Sequence, residues 1–384
     1  MTRNQLESVR EFTRAELLDW TALDAVAELP APAHHRFHDL GLANWWLPGK
    51  DGTPGLGLAE SVDIVSELAY GDAGAAFTLF ISILGTSMVS LYGSDDLRER
   101  YLSPMRSEGS FCATLGSEHD AGSELARTAS VAARAGGDVV LNGEKFFSTN
   151  SGFADFLVVI ARSAENPASH VAVVVPADTP GVEVVRRWPM NGLRASGTYQ
   201  VSLRDVRVPA DHVLNGPGLR LLEVGLNASR ILISATAVGI ARRVRDLCMD
   251  YAKSKPLKGS TLLNNAVFAA KLGQMEAQIE VMRNQCLAAA REYDEIIAAP
   301  GAAAVFARRG TMKAAMTTKL FCGQTGWELA SVGSEMFGGL GYTEDLPIGK
   351  LLRDMRYVSI VEGGDDVLRD VIFSRYVIPV SKRV

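Results

Sequence analysis

Cysteine is sparse and badly spaced for chemistry: Cys112, Cys248, Cys286 and Cys322 are the four in 384 residues, and no two form a Cys-x-x-Cys pair. This spacing argues against a zinc cage or a disulfide framework and fits the reduced, buried thiols of a cytoplasmic protein. Basic blocks are missing as well. The 39 Lys and Arg are outnumbered by 44 Asp and Glu, for a net charge of −5, so nucleic acid is not the expected partner. The opening residues carry Arg3, Glu7, Arg10 and Glu11 around no apolar core, which is not the pattern of a secretory signal. One long run without charge needs weighing. Residues 73–94 could span a bilayer by length, but Gly74, Ser82, Gly85, Thr86, Ser87, Ser90 and Gly93 interrupt it and Asp72 and Asp95 flank it. A helix buried among other helices is the better expectation, with no membrane.

What is present is an ordinary globular balance, 47% hydrophobic and 22% charged, in a chain long enough for two or three domains. Up to about residue 110 the apolar spacing is helical, with Leu6, Val9, Phe12, Leu17 and Leu18 on one face, then stretches 61–70, 73–92 and 95–102. Past that point the period changes to two. Residues 139–141, 144–147, 156–160, 170–175, 182–185 and 198–203 read as short strands, and Asn142-Gly143 predicts a tight hairpin turn between the first two. After Pro217-Gly218 the helical period returns over Ile231, Ala235, Val238, Ala241, Val244, Cys248 and Tyr251, then over 271–293, 311–337 and 365–377. The expected fold is α+β in three domains: helical over 1–110, a β-barrel or sandwich over 111–218, and a four-helix bundle over 219–384.

One short stretch invites a chemical reading. In residues 358–369, Glu362 follows an apolar run and precedes Gly363-Gly364. A carboxylate at the end of such a run is liable to desolvation, which raises its pKa toward that of a useful base, while glycine admits close backbone approach. On these residues alone a surface turn with a solvated glutamate is the better reading.

Motifs spread along the chain alter that balance. Ser117-Glu118-His119-Asp120-Ala121-Gly122-Ser123-Glu124, Asn142-Gly143-Glu144-Lys145-Phe146-Phe147-Ser148-Thr149-Asn150, Gly192-Leu193-Arg194-Ala195-Ser196-Gly197-Thr198 and Asp205-Val206-Arg207-Val208-Pro209 come first. Met336-Phe337-Gly338-Gly339-Leu340-Gly341-Tyr342, Leu352-Arg353-Asp354 and Glu362-Gly363 follow. Together, in this order and spacing, they resemble the acyl-CoA dehydrogenase family over nearly the whole chain. The resemblance implies non-covalent FAD, a homodimer or homotetramer, and removal of two hydrogens across the Cα–Cβ bond of an acyl thioester. CoA is the family's usual carrier, with an acyl carrier protein as the other candidate, and an electron-transferring flavoprotein is the implied acceptor.

Site residues are implied one by one. Glu362 matches the base, and Gly363 belongs to the same turn beside the thioester. Thr149 and Phe147 match flavin-facing positions, with phenylalanine where tryptophan is usual. Thr114, Ser117 and Ser123 belong to the flavin- and substrate-facing loop, and Gly338 and Gly339 to the adenosine side. Gly364 and Asp366 are the cofactor positions after the Glu-Gly pair. Asn227 and Arg230 fall in the stretch Leu226-Asn227-Ala228-Ser229-Arg230, where some relatives carry the base; no carboxylate stands there in this chain. Val361 and Phe80 occupy positions that choose acyl length, and together they imply a short or branched group. Departures cluster on the cofactor's far half. Lys255-Pro256-Leu257-Lys258 stands for the family's Arg-x-x-Phe, Ala266 for glutamine, Gly364-Asp365 for Thr-Ser or Thr-Asn, and His119 for proline. They motivate a heteromeric subunit as an alternative. A flavin oxidase or monooxygenase of the same fold is another, although Glu362 weighs against a monooxygenase.

Overall fold

The computed structural model describes residues 3–26 and 31–378. Helices come first: α1 (Arg3–Glu16), α2 (Trp20–Ala25), α3 (Ala31–Asp39), α4 (Leu58–Gly71), α5 (Ala73–Phe80), α6 (Ile83–Tyr92), α7 (Asp95–Leu97) and α8 (Met105–Glu108). The sequence predicts one helix over 73–92, and the structure breaks it at Ile81-Ser82. Ser82 is the cause. Its Oγ donates to the Cys112 carbonyl at 3.1 Å and accepts from the Cys112 N–H at 3.0 Å, fastening the break to the first strand. The apolar stretch Ala73–Tyr92 lies inside the protein, as does the long helix Gly218–Ser254, so the hydrophobicity of both serves internal packing.

The middle region holds β1 (Cys112–Leu115), β2 (Val131–Ala135), β3 (Asp138–Thr149), β4 (Phe156–Ser163), β5 (His170–Pro176), β6 (Val182–Arg187) and β7 (Thr198–Pro209) in one seven-stranded sheet. Leu115, Leu141, Val159, Val173, Val201 and Val208, drawn from five strands, meet in one apolar cluster, so the sheet wraps around its own core. The other face of β4 and β5 (Phe156, Val158, Ile160, Ala172, Val174) joins the core shared with the helices.

Asn142-Gly143 is not a hairpin turn. β3 runs straight through it, and the turn joining β2 to β3 is Gly136-Gly137. At Asn142 the register against β7 slips instead, from Leu141 opposite Val206 to Gly143 opposite Leu203. Asn142 holds this bulge by accepting from the Asp205 N–H at 2.8 Å and donating to Asp205 Oδ1 at 3.1 Å, with Asp205 at φ 50°. A dipeptide suited to positive φ serves a bulge as readily as a turn. Gly143 sits at φ 150°, and a Cβ there would lie 2.1 Å from Ser130 Oγ and 2.7 Å from Ser130 Cα. Gly143→Ala is therefore expected to cost about 2 kcal/mol, measured as a lowered urea midpoint at unchanged slope.

The last third is helical: α9 (Gly218–Ser254), the two-residue strands β8 (Pro256–Leu257) and β9 (Ser260–Thr261), then α10 (Ala266–Ala298), α11 (Ala302–Arg309), α12 (Lys313–Met336), α13 (Ile348–Arg356) and α14 (Asp365–Ile372). Three long helices are present as expected. The fourth place is divided between α13, which the periodicity of the sequence did not suggest, and α14, which continues into a short π-helical turn, Phe373–Val377.

A buried ion cluster joins the three regions. Lys350 Nζ lies 2.6 Å from Asp72 Oδ2 and also bonds Asp354 Oδ2, with all three side chains almost wholly covered. Asp72 caps α5 through the Ala75 N–H at 2.7 Å, and Asp354 Oδ1 accepts the Leu193 N–H at 2.7 Å from the loop before β7. Burial opposes the Lys350 charge, but the two carboxylates outweigh it and hold its pKa above that of an ordinary lysine.

Candidate active site

Between α13 and α14 the chain makes a strained turn. Glu362 has φ 53° and Gly363 φ 93°, and Gly364 then caps α14. A left-handed glutamate is costly unless its surroundings hold it. Two buried cations do so. Arg230 of α9 donates from Nε and Nη2 to the Glu362 carbonyl at 3.0 and 2.7 Å, and Lys319 of α12 donates from Nζ to the Gly363 carbonyl at 2.9 Å. Below the turn, the Tyr357 hydroxyl pairs with Thr236 Oγ1 at 2.6 Å and its ring meets Phe77.

The Glu362 carboxylate is enclosed even though the residue keeps some surface. Oε2 accepts from Ser229 Oγ at 2.7 Å, while Oε1 is buried with no hydrogen-bond partner. Burial raises its pKa to about 7 against the opposing pull of the Ser229 hydrogen bond and the charges of Arg230 and Lys319. A raised carboxyl stabilises the fold while it is protonated, and that contribution is lost as pH rises through about 7. Glu362→Gln is thus expected to be more stable than the parent by about 2 kcal/mol at pH 8 and no more stable at pH 4. Thermal melts of both proteins at the two pH values check this.

The other expected residues fall into separate groups. Val361 is half-buried against the core. Phe80 is fully buried and edge-on to Phe77 at 5.5 Å, so it lines no open cavity. Asn227 is also fully buried, and its amide is committed within the chain: Nδ2 donates to the Gly310 carbonyl at 3.0 Å and Oδ1 accepts from the Met312 N–H at 2.7 Å. The expected substrate contact of Asn227 is replaced by a strut between α9 and the loop before α12. Ser123 is exposed on a cleft of about 420 Å³ that includes Leu219, Leu222 and Leu226 of α9.

On the β-domain, Phe147 is 56% exposed at φ 55° and stacks on Trp188 at 4.8 Å, with Arg186 over the indole. Thr149 Oγ1 meets Thr198 Oγ1 at 3.1 Å, and the Ser117 carbonyl accepts the Phe146 N–H at 2.8 Å. Glu118 anchors this loop through buried Lys145 at 2.7 Å and the N–H groups of Ala129 and Ser130. Thr114 on β1 faces α6 at Gly85, where a Cβ would lie 2.9 Å from its Oγ1.

Lys255 and Gly338 share a third place, a cavity of about 330 Å³ with Tyr251, Asn265, Lys271 and Phe337. Gly338, at φ 60°, and Gly339 both leave the space beyond Cα open. Lys255, an aromatic pair and open glycine backbone suit an anionic nucleotide, while Lys271 in the same cavity pairs with Glu335 at 3.6 Å; Asp366 lies elsewhere, projecting into solvent and pairing with Arg369 at 2.6 Å. Asp365 leaves a buried Oδ1 without a partner beside the Glu362 turn. Ser229 and Lys319 were not singled out in the sequence. The signal for Lys319 was its place on the α12 face marked by Met316, Cys322, Gly323 and Gly326, all buried.

Comparison with known proteins agrees in all three regions. Residues 2–109, 113–206 and 216–377 match the N-terminal, middle and C-terminal domains of acyl-CoA dehydrogenase, respectively. The chain is 30% identical over 378 residues to the probable acyl-CoA dehydrogenase YngJ of Bacillus subtilis, covering 95% of each chain. Butyryl-CoA dehydrogenase from Megasphaera elsdenii superposes with a TM-score of 0.86 at 25% identity, over 97% of both chains. A glutaryl-CoA dehydrogenase from Mycobacterium smegmatis in complex with FADH2 shares the fold, with a TM-score of 0.85 at 24% identity over 97% of this chain and 93% of that one. The chain belongs to the acyl-CoA dehydrogenase family of flavoprotein oxidoreductases.

Proposed function

We propose that this protein α,β-dehydrogenates a short or branched acyl thioester to its trans-2-enoyl product, with Glu362 as the base. The observation that carries this reading is the enclosed carboxylate: one oxygen is fixed by Ser229 and the other has no partner, with a pKa near neutrality. A base of that pKa is ionised often enough at neutral pH to accept a proton and basic enough to hold it. Arg230 fixes the carbonyl of the base, and Gly363 permits the left-handed turn with Arg230 close against it, where a Cβ would lie 3.3 Å from Nη2.

FAD, when bound, supplies the acceptor for the β-hydrogen as hydride. Phe147 and Thr149 would face its ring system with Thr114 and Ser117 nearby, and Lys255, Gly338 and Gly339 would hold its adenosine half. A lysine there is a point charge for phosphate without an arginine's fork. Ser123 would border the carrier arm, and CoA is the carrier the family favours. The short-acyl preference is supported by the aromatic packing under the turn, where Phe77 meets both Phe80 and Tyr357 edge-on. Exposed Tyr342, Leu340 and Val267 lie on or near the segments lining the Lys255 cavity and suit burial against a second copy, as in a homodimer or homotetramer. An electron-transferring flavoprotein is the proposed acceptor, in the cytoplasm.

Purified protein given thioesters of graded length tests the substrate class. Best turnover is expected at short or branched chains, with a trans-2-enoyl product and little hydrogen peroxide. Best turnover at twelve carbons or more, or stoichiometric peroxide, would overturn the reading.

A further inference from the structure

We propose that Lys319 is a positioning residue of this site: with Arg230 it holds the left-handed Glu362–Gly363 pair, and its ammonium charge adds to the groups that favour the ionised Glu362 carboxyl. The inference deepens the reading of Glu362 as the base, and its test is chosen to stand apart from turnover.

Lys319 is fully buried on the face of α12 that otherwise carries Met316, Cys322 and Gly323. A methionine would pack there without desolvating a charge, so an ammonium at this place is a burden on the fold unless it does something. Its Nζ donates at 2.9 Å to the Gly363 carbonyl, a neutral acceptor. Arg230 grips the preceding carbonyl in the same way. Two consecutive carbonyls are therefore drawn to two cations on different helices, which fixes the peptides on both sides of Gly363 in the turn that the φ values of 53° and 93° record. α12 can approach this closely because Gly323 faces the turn, where a Cβ would lie 2.7 Å from Ser359 Oγ.

The charge has a second consequence. The charged groups acting on Lys319 are Arg230 from α9, Glu362 from the turn and Asp365 from the start of α14. Burial, then the like charge of Arg230, lowers its pKa to about 8, with Glu362 and Asp365 opposing. The ammonium is thus mostly charged at the pH where Glu362 is half ionised, and there it favours the ionised carboxyl. Without it, the carboxyl should hold its proton to higher pH.

The test is an infrared pH titration of the protonated carboxyl stretch of Glu362 in the full-length, flavin-loaded protein, assigned by its loss in Glu362→Gln. Lys319→Gln keeps a donor for the Gly363 carbonyl but removes the charge, and its midpoint is expected to rise by about half a unit. Lys319→Arg keeps the charge and should leave the midpoint in place. The acid limb of kcat/KM should move with the infrared midpoint in both variants. An unmoved midpoint in Lys319→Gln, or equal shifts in both variants, would overturn the proposal. Should Lys319→Gln fail to fold, Lys319→Arg decides alone: an unmoved midpoint supports the charge role and a raised one refutes it. Failure of the dehydrogenase reading would instead show as absent turnover with the carboxyl titration intact.

Discussion

Glu362→Gln is expected to retain FAD and lose roughly 10²–10⁴-fold in the rate of flavin reduction by substrate, the range that removal of a positioned general base usually costs. The substitution is nearly isosteric. Its amide can still accept from Ser229, and the backbone carbonyl that Arg230 grips is untouched. The turn should therefore survive while the proton acceptor is gone. KM should change little, because the loss falls on an interaction made as the α-proton leaves. Rapid mixing under anaerobic conditions, read by the oxidised-flavin absorbance, separates this step from product release. Because the same variant should gain stability above pH 7, a loss of rate cannot be ascribed to a weakened fold.

Lys350→Met should destabilise the protein by about 3–5 kcal/mol, the cost of breaking a buried ion pair from one side. Asp72 and Asp354 would be left as two covered carboxylates facing each other, and both have further duties, as the cap of α5 and as the acceptor for Leu193. The damage should spread across all three domains, because Asp72, Leu193 and Lys350 belong to different ones. Urea unfolding is the measurement, with a large drop in midpoint expected. Arg369→Ala, which removes only the exposed partner of Asp366, is the control and should leave the midpoint unchanged.

Much of this architecture was legible in the sequence because its texture changes twice, from helical spacing to alternation and back. The long helices α9, α10 and α12 carry apolar faces too extended to mistake. Shorter features were hidden. Ser82 breaks a helix through a side-chain bond to a strand thirty positions away, which no local pattern reports. Asn142-Gly143 has the chemistry of a turn, and only the partner Asp205 makes it a bulge. α13 is brief, and its residues are set by the buried Lys350 cluster as much as by an apolar stripe.

The site divides in the same way. Glu362-Gly363 was legible as a motif, whereas Ser229 and Lys319, which fix and charge it, are ordinary residues whose importance comes from three elements meeting. Asn227 shows the opposite case. It lies two residues from Ser229, yet its amide is consumed as a strut. Among the residues proposed for the cofactor's adenosine half, Lys255 and Gly338 are distant in sequence and line one cavity, while Asp366 turns outward to Arg369.

The central claim is that an enclosed Glu362, poised near neutral pH, takes the α-proton. Its most direct test is the rate of anaerobic flavin bleaching by a short acyl-CoA, measured against pH in the parent protein and in Glu362→Gln. The parent rate should rise with pH through an ionisation at about 7 and level off above it, and the variant should stay slow throughout. A parent rate independent of pH, with Glu362→Gln bleaching as fast, would contradict the account.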